Sequence, residues 1–95
     1  MLIIAGHIEV APARRDEVVA ALQDLVRRAR AAPGCLDLAV TADPLDPARV
    51  NNLERWESSE HLDAFRAVAN APDIGEIVAD HVRLYDVTGE RSPFD

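Results

Sequence analysis

Three side chains capable of chemistry stand at alternate positions in the stretch NNLERWE: Asn52, Glu54 and Trp56. Alternate side chains of an extended strand point to the same face of the sheet, so these three should lie side by side. An amide, a carboxylate and an indole together could hold an aromatic molecule and take a proton from one of its hydroxyl groups. The spacing therefore predicts a small-molecule site on one face of this strand.

Each of these residues also has a structural explanation. Trp56 is the only tryptophan, and burying an aromatic ring is among the largest single contributions to a small core. Asn52 is harder to explain by packing, because a buried amide needs hydrogen-bond partners that an apolar residue would not. Glu54 would need an arginine or a hydroxyl beside it if it were buried, so a structural salt bridge is the alternative to a general base. Trp56 could be a core residue, a pocket wall or both.

The three histidines lack the spacing of a metal site. His7 should lie on the second face of the first strand, and His61 in the first turn of a helix. His81 begins the last strand, and Tyr85 lies four residues later on the same face. If that face turns towards the helices, both residues approach the pocket; otherwise they belong to an interface. We see no phosphate-binding glycine loop, and Cys35 is the single cysteine, so the sequence predicts no metal, cofactor or disulfide.

The composition limits the partners. Ninety-five residues allow one domain, 1–95, in which 88–95 reads as a C-terminal tail. The formal net charge of −7 argues against nucleic acid as a partner. The N-terminus lacks a basic signal-peptide region, and no apolar run approaches the roughly 20 residues that span a bilayer. We therefore expect a cytoplasmic protein that does not bind membranes.

Hydrophobic periodicity predicts the element order β-α-β-β-α-β. Period-two alternation indicates strands, and a period near 3.6 indicates helices. The strands are 2–10, 35–43, 50–57 and 81–87, and the helices are 13–32, 58–71 and a short, weaker segment at 73–81. Right-handed crossovers then give a ferredoxin-like α+β fold, with a four-stranded antiparallel sheet and the helices on one face.

The pocket of such a fold would lie between the sheet and the helices. Gly6 sits on the core face of the first strand, where the missing side chain leaves space for another group to approach. Phe65 lies on the buried side of the second helix. We expect the substrate to contact Trp56, Phe65, Tyr85 and Gly6.

Three segments resemble the antibiotic biosynthesis monooxygenase family of the dimeric α+β barrel superfamily: IEVAP, APGCLDL and LERWESSEHLDAF. The resemblance covers nearly the whole chain. It implies a homodimer whose two sheets pack face to face, each subunit keeping its own pocket. The face of the third strand that carries Asn51, Leu53 and Arg55 would then look towards the partner sheet.

Some members of that family are cofactor-independent oxygenases that convert phenolic aromatic compounds to quinones. They have a pocket asparagine four residues before the tryptophan, a spacing that Asn52 and Trp56 share. Their accompanying tyrosine and arginine are missing, because Leu62 and Glu76 stand at those offsets.

A second subgroup degrades haem and ligates iron with a histidine about ten residues after the tryptophan. Phe65 and Arg66 occupy that place here, and Gly6 replaces an asparagine that haem degraders use. Haem ligation at that place is therefore not expected.

The resulting hypothesis is a cofactor-independent monooxygenase acting on a phenolic or quinol-like molecule, with Asn52, Glu54, Trp56 and His81 as catalytic residues. The alternative is a non-catalytic dimer that binds a hydrophobic metabolite or another protein, and isomerase-like chemistry is a third possibility. The pocket discriminates between them. An enzyme needs Asn52 and a titratable group on an open cavity of about 300 Å³ or more, whereas Trp56 would fill that space in a binding module.

Overall fold

A computed structural model describes residues 1–94, in which one antiparallel sheet carries two α-helices. The strands are β1 Leu2–Glu9, β2 Cys35–Ala42, β3 Arg49–Trp56, β4 Ala79–Asp80 and β5 Arg83–Asp86, and the helices are α1 Arg15–Arg30 and α2 Ser59–Val68. A 3-10 turn at Pro12–Arg14 leads into α1. Asp95, the last residue of the predicted tail, lies outside the described residues. No helix within 1–94 is both long enough and apolar enough to cross a bilayer.

The strands follow the order β2-β3-β1-β4 across the sheet, and β5 also pairs with β1. All these pairings are antiparallel. Because β3 inserts between β1 and β2, each helix connects strands that are not neighbours, as in ferredoxin-like folds. The predicted α+β class is confirmed.

Both helices begin and end where their sequences provide suitable groups. The first turn of α1 contains two acidic residues and its last turn contains three arginines, which matches the helix dipole at each end. Ser58 caps α2, since its hydroxyl accepts a hydrogen bond from the backbone N–H of His61 at 3.3 Å. These local signals determine where the helices begin and end.

Two apolar clusters join the helices to that inner face. Both combine alternate strand residues with the buried stripe of a helix, as the periodicity predicts. The first contains Leu2, Ile4, Val26, Ala29, Leu38, Trp56 and Leu62, and the second contains Val10, Val18 and Val50. On β3, Asn52 and Glu54 lie between Val50 of the second cluster and Trp56 of the first.

The predicted helical segment at 73–81 is wrong, because residues 71–77 adopt no regular structure. Positive φ angles at Asn70 (47°) and Gly75 (76°) break the helical path on both sides of Pro72. The carboxylate of Asp73 also accepts a hydrogen bond from the backbone N–H of Gly75 at 2.8 Å, which closes a turn instead of a helix. Arg14 fastens this loop by donating to the carbonyls of Ile74 and Glu76.

The predicted last strand at 81–87 is divided into β4 and β5 by an interruption at His81–Val82. Gly6 lies opposite the interruption with a φ of 141°, and a Cβ built on it would stand 2.2 Å from the carbonyl oxygen of His81. Only glycine tolerates this conformation together with so close a main chain. The space that the sequence predicts beside Gly6 is therefore occupied by the chain itself.

The hairpin between β2 and β3 is closed by one carboxylate. Asp43 Oδ2 accepts the backbone N–H groups of Leu45 and Asp46 at 3.0 and 2.9 Å, and Asp43 Oδ1 accepts the amide of Asn51 at 3.0 Å. These hydrogen bonds, led by the one from Asn51, lower the pKa of Asp43 from 3.8 to about 2. The ionised carboxylate thus replaces the ladder that Pro44 and Pro47 cannot continue.

Candidate functional site

The three alternate residues of β3 share the inner face of the sheet, as predicted. Asn52 pairs with Gly6 of β1, Glu54 with Ile4, and Trp56 with Leu2. On the other side, β2 places Val40 and Leu38 beside Asn52 and Glu54. The polar pair is therefore framed by short or branched apolar side chains, which leave room above it.

The carboxylate of Glu54 is held from both sides along its own strand. Its Oε2 accepts a hydrogen bond from the Asn52 amide at 3.3 Å, and its Oε1 accepts one from the Trp56 indole N–H at 3.1 Å. Each oxygen keeps capacity for a further hydrogen bond, because an ionised carboxylate has about four acceptor positions. No ion pair involves Glu54 among residues 1–94. The predicted structural salt bridge is therefore not formed there.

Trp56 belongs to the core. Its relative exposure is 0%, and its ring stacks on Phe65 with centroids 5.5 Å apart and planes inclined by 30°. The indole does not line the cavity described next, but its N–H orients the Glu54 carboxylate. Its role is to position that carboxylate, as well as to fill the core.

A cavity of about 240 Å³ lies between β3 and the two helices. Asn52, Glu54 and Phe65 line it, and its other walls are mostly aliphatic. A second compartment of about 260 Å³ extends towards β1 and reaches Asp80 and Val82. The two compartments share five lining residues: Leu22, Val40, Asn52, Glu54 and Arg66. Each is smaller than the expected 300 Å³, but they adjoin at the Asn52–Glu54 pair.

Arg66 is a charged residue of the site for which the sequence predicts no role. It lies in the last turn of α2 and lines both compartments. The available signal was helical spacing, since Arg66 is four residues beyond the buried Leu62 and so lies on the same side of α2. Asp80 was also missed, because its position depends on the short β4 pairing with Ile8.

A larger depression, of about 320 Å³, lies between the start of α1 and the 73–75 loop. Its lining combines Arg14, Glu17 and Asp73 with aliphatic side chains. Arg14 is already engaged in fastening the loop, through its hydrogen bonds to two backbone carbonyls. The convergence of an amide and a carboxylate on an apolar cavity singles out the site on β3 instead.

His81 and Tyr85 lie away from this cavity. The ring of His81 is 4.7 Å from that of His7, and its Nε2 is 4.0 Å from a carboxylate oxygen of Glu9, on the open face of the sheet. Tyr85 pairs with Ile3, which also points to the open face, and its side chain is half-exposed. Of the two alternatives that the sequence left open, the structure shows the open face.

Gly6 and Phe65 are the remaining predicted contacts. Phe65 lines the first compartment, so it can meet a bound molecule directly. Gly6 is absent from the lining of both compartments, and the carbonyl of His81 stands where its side chain would be. Contact between Gly6 and a substrate stays a prediction.

The part of the chain that the structure describes contains no set of side chains suited to bind a metal ion. No group of three His, Cys, Asp or Glu side chains within residues 1–94 could hold an ion. The lone thiol, Cys35, is half-buried, and burial raises its pKa, which leaves it a poor nucleophile at neutral pH. The polar groups that both compartments share are therefore the Glu54 carboxylate, the Asn52 amide and the Arg66 guanidinium, and the second compartment adds the Asp80 carboxylate.

Comparison with known proteins identifies a matching family. The family model described as antibiotic biosynthesis monooxygenase matches residues 1–75. Among proteins of curated function, none matches the chain significantly.

Several solved structures share the fold. A candidate antibiotic biosynthesis monooxygenase from Chloroflexus aurantiacus superposes with a TM-score of 0.75 at 28% identity, over 96% of each chain. Another antibiotic biosynthesis monooxygenase, 24% identical, gives 0.76 over 94% of this chain and 100% of the other. A candidate member from Caulobacter crescentus, 21% identical, gives 0.73 over 93% and 90%. The last two likenesses concern the fold alone.

Proposed function

The chain belongs to the antibiotic biosynthesis monooxygenase family, and on that premise we propose that it is a cofactor-independent monooxygenase of phenolic aromatic molecules. Family membership supports monooxygenase-like chemistry in general. The phenolic substrate and the residue roles rest on one observation, the Glu54 carboxylate held by Asn52 and Trp56 at an apolar cavity.

The first step uses the carboxylate as a base. A phenol placed against Glu54 would give up its hydroxyl proton, which makes the ring electron-rich. Both carboxylate oxygens are already oriented by N–H donors, so no side chain needs to reorganise during the transfer. The aliphatic walls exclude water and strengthen these interactions.

The oxidation itself takes its electrons from the substrate. The phenolate passes one electron to O₂, and the resulting superoxide recombines with the phenoxyl radical at a ring carbon that carries hydrogen, para to the oxygen. Glu54 returns its proton to the peroxide, removes the C–H proton as the O–O bond breaks, and passes that proton to the departing hydroxide. One oxygen atom remains as the quinone carbonyl and the other leaves as water, so atoms and electrons balance.

In this scheme Asn52 stabilises the negative charge that develops on oxygen. Its amide lies on the cavity beside Glu54 and can turn a second N–H towards a peroxide or a phenolate. Removing one such preorganised donor typically costs about 100-fold or more in turnover. His81, on the open face, has no part in this scheme.

The test compares aerobic and anaerobic incubation with a panel of anthrones and of phenols and naphthols whose para carbon carries hydrogen, with quinone absorbance as the readout. Oxygen-dependent product that gains one atom from ¹⁸O₂ is expected, with turnover about 100-fold lower in Asn52→Ala. Asn51→Ala is the matched control, since that amide points to the opposite face and should leave turnover unchanged. Absence of oxygen-dependent turnover in the wild type, or equal turnover in Asn52→Ala, contradicts the proposal.

A non-catalytic binding module is the second candidate, and the complete burial of Trp56 favours it. In such a module the cavity would hold an aromatic ligand against Phe65, and Glu54 would accept a hydrogen bond from it without removing the proton. Saturable binding of the same panel with no product in air would identify this alternative.

We further propose a homodimer through the open sheet face, as the family resemblance implies. That face presents half-exposed apolar side chains, including Leu53 and Tyr85, which a second sheet would cover. Leu53 pairs with Ala5 on one side and Ala39 on the other, so a flat apolar strip runs across the three strands. Sedimentation equilibrium at micromolar concentration should report a dimer, and a monomer there would contradict the proposal.

A further inference from the structure

Arg66 differs from most of the other basic residues of the chain. All ten are arginines, and most of them hold a backbone carbonyl or a carboxylate. Arg14, for example, fastens the 73–76 loop, and Arg30 donates to the carbonyl of Leu38 at 2.7 Å. Within residues 1–94, the guanidinium of Arg66 makes no hydrogen bond and no ion pair. Its five N–H donors are therefore available to a ligand.

Arg66 lies at the opening of the cavity, where its free N–H donors can reach a ligand. Its side chain lines both compartments, and its residue is exposed, so it stands where the cavity meets solvent. In the described part of the chain Arg91 also makes no side-chain hydrogen bond or ion pair, but it lies in the C-terminal tail and lines neither compartment. The free cation is thus placed at the cavity and not merely on the surface.

The charges around the cavity fix the orientation of a ligand. Glu54 lines both compartments, and Asp80 lines the second, so an anionic group placed beside them would be repelled. A hydroxyl group suits Glu54, whose oxygens can accept another hydrogen bond. An anionic group is favourable only beside Arg66. The ligand that fits is therefore hydroxylated at its inner end and acidic at its outer end.

We propose that Arg66 is a specificity-determining residue that binds the carboxylate of a hydroxylated aromatic acid at the mouth of the cavity. A planar carboxylate matches the guanidinium fork with two parallel hydrogen bonds. A doubly charged phosphate would meet stronger repulsion from Glu54 and Asp80. This inference rests on the proposed function for the identity of the aromatic substrate, but not for the occurrence of turnover.

The test measures binding without chemistry. Under nitrogen, isothermal titration calorimetry compares 3-hydroxybenzoate with its methyl ester, and 4-hydroxy-2-naphthoate with its methyl ester, all of which carry hydrogen para to the hydroxyl group. Within each pair the ring and the hydroxyl group are constant, and a neutral methyl ester replaces the negatively charged carboxylate. We expect the wild type to bind the acid of at least one pair about tenfold more tightly than its ester, a modest preference because an exposed ion pair is partly screened.

Variants separate recognition from a structural effect of the helix end. Arg66→Gln should reduce the acid-to-ester ratio to below about twofold while leaving the affinity for the ester unchanged. Arg66→Lys should retain part of the preference, since the charge remains and the fork is lost. Arg27→Gln is the matched control, because Arg27 is 72% exposed on α1 and should not affect the ratio. Inorganic phosphate should compete poorly with the acid.

The outcomes distinguish this inference from the proposed function. Equal affinity for acid and ester in the wild type, no measurable binding of either acid, or a preference that survives in Arg66→Gln overturns the inference. Preferential binding of the acid with no oxidation in air would refute the oxygenase and leave the role of Arg66 standing. Oxygen-dependent oxidation of acid and ester alike would support the oxygenase and overturn the role of Arg66.

Discussion

Asn51 and Asn52 are neighbours on β3, and each donates its side-chain amide to a carboxylate, yet the two pairs do different work. Asn51 donates to Asp43 at 3.0 Å, and Asn52 donates to Glu54 at 3.3 Å. Successive strand residues point to opposite faces, so the first pair closes the hairpin on one face and the second lies on the cavity on the other.

The difference lies in what else holds each carboxylate. Asp43 also accepts two backbone N–H groups, so most of its acceptor positions serve the turn. Among residues 1–94, Glu54 has only side-chain donors, one from the Asn52 amide and one from the indole of Trp56. A carboxylate bound to the main chain stabilises a local conformation, whereas one held by side chains at a cavity keeps capacity for a ligand.

Truncating the two asparagines provides the strongest test of this contrast. Asn51→Ala should lower the free energy of unfolding by about 1 kcal/mol, because it removes the bond to Asp43 and an acceptor that Arg49 Nε contacts at 2.7 Å. Asn52→Ala should change it by less than about 0.5 kcal/mol, since its bond is long and its surroundings are partly open. Urea unfolding followed by Trp56 fluorescence measures both.

Unchanged m-values are required before these two free energies are compared, because a change in m reports altered compactness. If Asn52→Ala destabilised the protein more than Asn51→Ala, Asn52 would be a structural residue and the contrast would fail. The turnover assay proposed above gives the complementary result, in which only Asn52→Ala loses activity.

Much of the fold could be predicted from the sequence, because its signals are local and periodic. The apolar stripe of α1 and the alternation of β3 both report the surroundings of each side chain directly. The segment at 73–81 misled this reading. Its apolar residues have helical spacing, but Ile77 and Val78 are exposed, and the turn at Gly75 prevents a helix.

The site could be predicted only in part, for a related reason. Period-two geometry predicts that Asn52, Glu54 and Trp56 lie together. It does not predict that Asn52 and Trp56 both donate hydrogen bonds to the Glu54 carboxylate. The faces of His81 and Tyr85 depend on the pairing of β4 and β5 with β1, which is interrupted opposite Gly6. Such long-range pairing leaves no periodic trace in a single sequence.

Acid titration tests the Asn51–Asp43 pair through the pH dependence of stability, and the expected effect is smaller. The pKa of Asp43 is about 2 in the folded protein and 3.8 ordinarily, so the folded state favours the ionised carboxylate. Its contribution to stability is therefore complete above about pH 4 and is lost as the pH falls towards 2. Asp43→Asn removes this contribution, and its melting temperature should decline less steeply than that of the wild type between pH 4 and 2.

The expected result is that the difference in melting temperature between wild type and Asp43→Asn is largest near neutral pH and narrows on acidification. Circular dichroism melts from pH 7 to pH 2 measure it, with Asp63→Asn as a control on the exposed side of α2. The difference in melting temperature between wild type and Asn51→Ala should narrow in the same way, because the Asn51 amide makes the largest contribution to the low pKa of Asp43. The difference for Asn52→Ala should not narrow, since the Asn52 amide donates to Glu54 and not to Asp43. If the melting temperatures of the wild type and Asp43→Asn fell in parallel on acidification, the Asp43 carboxylate would not hold the hairpin. The structural role of the Asn51–Asp43 pair, and with it the contrast between the two asparagines, would then be refuted.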